Sequence, residues 1–301
     1  MAPKKSWLAA RAEYAVAASL MTALRRLPLP LAQRAANAAA RLLDRAVPKL
    51  RRVARTNLSF AFPAWEPEKR EKIIDAVFRS IARLLLTFSR FPDLQAANIG
   101  EWIEYEGLEH YRAAKDLGRG VLVATAHLGN WELSAFAHAW LTEPMDVMVR
   151  PLDNPLIDRL VENRRTLSGN LLIYKRDGAR AVLRALRENR AVGILVDQNT
   201  SLAEGVFIDF FGKPACASPA FVKLAHHSGA VVIPGFALWD EERGRYVLRF
   251  YPAIEMTGDA VTDTQRLHAA IEAVIRQYPE QWLWIHRRWK TRPPGEPPLY
   301  S

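Results

Sequence analysis

Residues 127 to 132, His-Leu-Gly-Asn-Trp-Glu, hold the two side-chain types that general-base chemistry needs. An imidazole that takes a proton from a hydroxyl works best with a nearby carboxylate, which fixes its tautomer and raises its basicity. His127 follows the apolar run Val121-Leu122-Val123-Ala124, and Glu132 stands five residues further on. The same residues also suit a cap or a surface histidine, so the rest of the chain must decide.

The elements that would position the pair are readable in the local pattern. The apolar run is short, β-branched and preceded by Gly120, which predicts a buried strand. Asn130 is a candidate helix N-cap, which puts Glu132 in the first helical turn. His127 then stands at the carboxyl end of a sheet strand, where open α/β sheets put their ligands. From Trp102 onward, strands are predicted at 102–105, 121–125, 146–149, 171–174, 192–196, 231–237 and 246–251. Helices alternate with them at 108–116, 130–141, 155–168, 179–188, 219–227 and 263–277. This alternation predicts an α/β fold with a largely parallel sheet. The first third is rich in Ala, Leu and Arg and reads as helices broken at Pro28, Pro30, Pro48 and Pro63. Within 66–91, Ile73, Ile74, Val77, Phe78, Ile81, Leu84, Leu85 and Phe88 form one apolar helical face. The expected organisation is a helical, membrane-associating region at 1–95 and a continuous α/β core at 96–301.

Composition narrows the class. Half of the 301 residues are hydrophobic, enough for a sizeable core. Lys and Arg number 42 against 32 Asp and Glu, a formal charge of +10 that suits an anionic membrane, an acidic protein or a phosphorylated substrate. No zinc-finger spacing or RNA-binding signature accompanies it, which disfavours nucleic acid. The single cysteine, Cys216, excludes an internal disulfide and has no adjacent histidine to make it a nucleophile. At the N-terminus, Lys4 and Lys5 precede an uninterrupted apolar run of 11 residues from Tyr14 to Leu24. Such a run spans about 16 Å of helix, too short to cross a bilayer. No small-residue cleavage site follows it cleanly, which speaks against a secretory signal. Trp7, Leu8, Tyr14 and Leu20 with Arg11, Arg25 and Arg26 suit either an interfacial helix or an amphipathic helix packed on the core.

Other groups fall where predicted strands end. Arg150 follows the strand at 146–149, where its fork could hold a phosphate or carboxylate, and Asn154-Pro155 start the next helix. Asp197 ends the run at 192–196 and could orient a cation, bind a hydroxyl or cap a turn. The aromatics of 206–211 suit core packing or the wall of an apolar groove. Trp282, Trp284 and Trp289 with His286, Arg287, Arg288 and Lys290 suit a nucleic-acid or lipid-headgroup surface, or internal stacking against the sheet. His226, His227 and His268 lack metal-ligand spacing and read as structural or surface residues. No GxSxG, P-loop or GxGxxG motif is present.

Five segments taken in order resemble one family. They are His127 to Glu132, Arg150 with Asp153-Asn154-Pro155, Asp197-Gln198, Phe210-Phe211-Gly212-Lys213-Pro214, and Trp284-Ile-His286-Arg287-Arg288-Trp289. Arg55-Thr-Asn57-Leu-Ser-Phe-Ala-Phe-Pro63 precedes them. The set resembles the late lipid A acyltransferases, the lauroyl/myristoyl transferase family of Gram-negative bacteria, whose relatives include phosphatidylinositol mannoside acyltransferases. The resemblance runs from about residue 10 to residue 292. It implies a glycerol-3-phosphate-acyltransferase-like α/β fold, with a mostly parallel or mixed central sheet flanked by helices.

The resemblance also implies acyl transfer at the cytoplasmic face of the inner membrane, by a peripheral or N-terminally anchored protein. The donor would be an acyl thioester of acyl carrier protein or coenzyme A, used as co-substrate with no other cofactor and no metal. The acceptor would be a hydroxyl of a lipid A precursor. By this match His127 is the base and Glu132 its partner, and Arg150 and Arg164 hold phosphate or donor groups. Asp197 matches a further motif, and amides near Asn130, with Arg150, would face the oxyanion. The alternatives are the same chemistry on another glycolipid, or a basic peripheral protein that binds lipid without catalysis.

Overall fold

The computed structural model describes residues 6–174 and 178–300; Lys4 and Lys5 lie outside the described residues. Four helices come first: α1 (Trp7–Arg26), α2 (Leu29–Ala46), α3 (Pro48–Ala61) and α4 (Pro67–Arg90). Proline punctuates them as its chemistry dictates. Pro48 and Pro67 open α3 and α4 at the first position, where a missing N–H costs nothing. Pro30 is not a break, because it sits within the first turn of α2 and is tolerated there for the same reason. Helix α2 turns Ala32, Ala36 and Ala40 inward, and these small residues let it lie close on α4. In turn α4 buries Ile74, Val77, Phe78 and Leu86 and is the central helix of this layer.

A seven-stranded sheet follows. Its strands are β1 (Ile103–Glu106), β2 (Val121–Thr125), β3 (Asp146–Val149), β4 (Leu171–Tyr174), β5 (Ala191–Leu195), β8 (Val231–Asp240) and β9 (Arg245–Phe250). Between the last two groups a separate hairpin pairs β6 (Val206–Phe210) with β7 (Lys213–Ala217). Strand order is β1-β9-β8-β2-β5-β3-β4, and β8–β9 is the one antiparallel pair among those strands. Helices α5 (Leu108–Asp116), α6 (Trp131–Leu141), α7 (Pro155–Arg165), α8 (Gly178–Arg187), α9 (Ala220–Ser228) and α10 (Ala260–Gln277) connect and cover it. The mixed, mostly parallel sheet with its helical N-terminal region is the expected fold.

The hairpin was not anticipated as strands. Its turn, Phe211-Gly212, has both residues at positive φ (57° and 70°), the geometry of a tight two-residue hairpin turn. A phenylalanine there is costly, and its ring explains why it is kept. Phe211 is buried among Phe62, Trp282, Trp284 and Trp289, while its amide donates to Glu272 at 2.7 Å. Trp282, Trp284, Trp289 and Arg288 are fully buried, so the C-terminal cluster stacks internally and is not a nucleic-acid or headgroup surface. Phe210 and Phe211 likewise belong to the core and not to a groove wall.

Helix α1 both docks and remains partly bare. Asn154, the N-cap of α7, accepts from the Leu156 amide and donates to the Ala10 carbonyl and to Glu13, each at 2.9–3.0 Å. Ala10, Met21 and Leu24 are buried, while Trp7, Leu8 and Val16 are 65–73% exposed. No helix among the described residues is long and apolar enough to cross a membrane.

Candidate active site

Strand β2 lies between β5 and β8, buried on both faces, and its parallel neighbours end at the same edge. Sequence order reverses about this strand, which makes its carboxyl end the crevice where α/β sheets bind ligands. Register then decides which side chains meet. Thr125 is paired with Leu195, and the Val196 amide donates to the Thr125 carbonyl at 3.0 Å. Two residues beyond each strand end, His127 therefore faces Asp197.

The contact is close and fully directed. His127 Nδ1 lies 2.8 Å from Asp197 Oδ1, and the His127 amide donates to Oδ2 at 2.9 Å. The Trp282 indole N–H donates to the same Oδ2 at 2.8 Å. Burial opposes ionisation of Asp197, but the charge and hydrogen bond of His127, the indole and the backbone amide outweigh it. The carboxyl is held well below its usual range and is anionic. An anionic carboxylate only accepts, so Nδ1 carries the proton and Nε2 presents a lone pair. The Gln198 amide Nε2 stands 3.2 Å from that second nitrogen, and Trp131 packs edge-on at 4.9 Å between ring centroids. Burial also works against a charged His127, yet Asp197, with a further contribution from Glu132, holds its pKa above the ordinary value.

The loop carrying His127 is pinned by backbone on two sides. The His127 carbonyl accepts from Leu283 at 3.0 Å, the Gly129 amide donates to Gln281 at 2.9 Å, and the Asn130 amide donates to Ala237 at 2.8 Å. Gly129 has φ +63°, and a Cβ there would stand 2.0 Å from the Ala237 carbonyl oxygen, so only glycine fits. Asn130 caps α6 by accepting from the Leu133 amide at 3.0 Å. Asn57, buried on α3, donates to the carbonyls of Trp284 and His286 at 2.7 and 2.9 Å. His286 in turn accepts from the Asn199 amide at 3.2 Å, and burial brings its pKa down to about 4.

A family model described as bacterial lipid A biosynthesis acyltransferase matches residues 2–291. The chain belongs to that family. It is 32% identical over 256 residues to the lipid A biosynthesis palmitoleoyltransferase of Escherichia coli, covering 82% of this chain and 81% of the relative. Against the lauroyltransferase of the same organism, identity is 29% over 280 residues, with 91% and 90% covered. A Haemophilus influenzae lipid A biosynthesis acyltransferase is 30% identical over 250 residues, with 82% and 78% covered. The protein is accordingly an acyltransferase.

Within this acyltransferase the expected partner of His127 needs correction. Glu132 does not hold the imidazole. From the first turn of α6 it reaches α7 and takes a two-pronged contact from Arg165, with Nε at 2.8 Å and Nη2 at 2.5 Å. Asp197 holds Nδ1 instead, because β5 runs beside β2 and α6 turns away. Arg164 is likewise not the arginine that reaches the site. Neighbouring positions on a helix point about 100° apart, and Arg164 faces α1 and α4, over the Phe88 ring at 5.9 Å. Burial, then Arg25, lowers its pKa. Arg150 follows the end of β3 as expected, but its side chain is 79% exposed and 3.7 Å from Asp153. The structure thus joins His127, Asp197, Glu132 and Asn130, and leaves Arg150 and Arg164 apart from them. Sequence reasoning missed Arg165, Gln198, Trp282 and Asn57 as site-builders. The first two were discoverable as immediate neighbours of residues already singled out.

Proposed function

We propose that this acyltransferase moves a fatty acyl chain from the thioester of acyl carrier protein or coenzyme A to a hydroxyl of a lipid A precursor, with His127 as general base. The observation that carries the reading is the His127–Asp197 contact, which leaves the Nε2 lone pair towards the Gln198 amide, 3.2 Å away, at the carboxyl end of β2. Nε2 takes the acceptor's hydroxyl proton, and the oxygen forms a bond to the thioester carbonyl carbon. The tetrahedral intermediate collapses with loss of thiolate, which recovers the proton from the imidazolium. No protein nucleophile is required, since the thioester is already activated. The Gln198 amide marks the place of the incoming hydroxyl. Amides of Trp131 and Glu132, in the first turn of α6 and outside its Leu133 cap, are suited to the oxyanion.

The acyl chain needs apolar surroundings. A small recess beside the His127 loop, about 10 Å³ and lined by Val77, Ile81, Leu84, Trp131 and Leu283, offers them. It has room for about one water, so it meets only the part of the acyl chain nearest the base. Arg150, exposed beyond the end of β3, is assigned to acceptor or donor phosphate, and the +10 charge favours both an acidic carrier and a phosphorylated lipid. The exposed apolar residues of α1 support peripheral or N-terminally anchored association with a membrane, and on this reading that work is at the cytoplasmic face of the inner membrane. The test is acyl transfer by purified protein with each donor separately, products read by mass spectrometry. A one-chain mass gain on the precursor that His127→Ala abolishes is expected. Near wild-type turnover by folded His127→Ala would overturn the mechanism.

A further inference from the structure

A second site lies where α2, α3 and α4 meet and shares no residue with the His127 site. Arg41, Arg45, Arg51 and Arg79, with Asp44 and Asp75, line a cavity of about 300 Å³. Helical periodicity builds it, since Asn37, Arg41, Asp44 and Arg45 share one face of α2 and Asp75 and Arg79 share one face of α4.

The charges within it are unevenly spent. Arg51 engages Asp44 at 2.7 Å, Glu71 at 2.8 Å and Asp75 at 2.5 Å. The Asp44 hydrogen bond leads in driving its pKa further up, against burial. Both aspartates of the lining are thus committed to one arginine. Among the described residues Arg41, Arg45 and Arg79 have no carboxylate partner. Four arginines against two aspartates leave the lining at +2 (4 − 2). Cations converging on a cavity of this size suit a multivalent oxyanion. Guanidinium forks match the oxygen spacing of phosphate.

The helix that carries Arg41 and Arg45 says what the phosphate is attached to. Away from the cavity face α2 leaves aliphatic side chains bare, with Leu42 68% exposed and Leu31 47% exposed. Bare aliphatic side chains on the helix that supplies the cations fit a ligand with hydrocarbon beside its phosphate. We propose that the α2–α4 cavity binds the phosphate of a membrane lipid headgroup and seats the protein on the bilayer. This extends the membrane-surface part of the functional reading and stands apart from the His127 chemistry.

The test uses the full chain in vesicle co-sedimentation, with phosphatidylcholine vesicles and vesicles doped with phosphatidylglycerol. An Arg41→Ala/Arg45→Ala/Arg79→Ala variant is compared with Arg180→Ala/Arg184→Ala/Arg187→Ala, which removes the same charge from exposed positions on α8. The first should lose about a hundredfold in partitioning onto the doped vesicles, at about fivefold per basic residue. The second should bind within about threefold of wild type, by the weak contribution of charges away from the surface. Acyl transfer to detergent-dispersed substrate should survive in both, which separates this site from the catalytic reading. Equal loss in the two variants would mean diffuse charge and overturn the proposal, as would wild-type binding by the first. Inorganic phosphate titrated calorimetrically without vesicles distinguishes the source. Saturable binding lost in the first variant, with vesicle binding unchanged, would assign the cavity to free phosphate and overturn the lipid assignment.

Discussion

Asp197→Asn keeps the shape of the side chain and removes one acceptor. The carboxylate accepts three hydrogen bonds, two at Oδ2 from the His127 amide and the Trp282 indole and one at Oδ1 from His127 Nδ1. An amide has a single accepting oxygen. Setting that oxygen in the place of Oδ2 keeps two of the three bonds, whereas the reverse orientation opposes an NH2 group to two N–H donors. The amide nitrogen therefore faces the imidazole and donates to Nδ1, which moves the ring proton to Nε2, where the base must be bare. Trapping the wrong tautomer in a His–Asp pair costs about 10,000-fold in turnover, or roughly 5 kcal/mol of transition-state stabilisation. The fold loses less, about 1–3 kcal/mol for one charge-assisted bond, so the variant should remain folded by circular dichroism. The pH profile carries the sign. A base must be unprotonated, and His127 sits above its ordinary value, so wild-type kcat/KM should rise with pH through a midpoint above about 6.5. Without the Asp197 charge, burial is opposed only weakly and the residual activity of the variant should titrate lower. Folded Asp197→Asn with turnover within about tenfold of wild type would refute the tautomer argument.

Two other outcomes follow from the same charges. Glu132→Gln removes an anion that raises the His127 pKa and leaves the Arg165 cation that lowers it, so activity should fall and the acid limb should move to lower pH; an upward shift would contradict the arrangement. His138, His268 and His286 are each brought down to about 4, chiefly by burial. The unfolded chain binds those protons first, so stability should be full above about 6.5 and fall as pH drops towards about 4, by about 3 kcal/mol per histidine at most. His127 works in the opposite sense, its contribution being lost as pH rises through its folded value. Denaturant midpoints that stay level from neutral pH to about 4.5 would count against this.

Local pattern carried the strands and helices well because each is a short-range property. The runs at 121–125, 146–149 and 171–174 are strands with those limits in the structure. The hairpin at 206–217 escaped because Pro214 interrupts a strand pattern and Phe211 occupies a conformation that glycine or asparagine usually takes. At the site, His127 and Asn130 were visible through a strand end and a cap. The Asp197 contact was not, since it joins positions 70 apart through a strand pairing that no local window contains. Its trace in the sequence was a second apolar run, at 192–196, with a titratable group close behind its end as in the first. Arg165 was obscured by its neighbour Arg164, because helical phase and not residue type separates them.

The parallel pairing of β2 with β5 also governs where this chain can change length. Among the described residues, five elements, α6, β3, α7, β4 and α8, lie between the two paired strands. Inserted or deleted residues in the connections among them would lengthen or shorten surface excursions without altering which residues face each other across β2 and β5. A single insertion between Thr125 and His127, or between Leu195 and Asp197, would carry one partner about 3 Å along and turn it to the opposite face. Homologous chains should therefore differ freely in the reach of that intervening stretch while keeping both two-residue intervals intact, so that new acceptors are accommodated by remodelling the excursions around an unvarying pair.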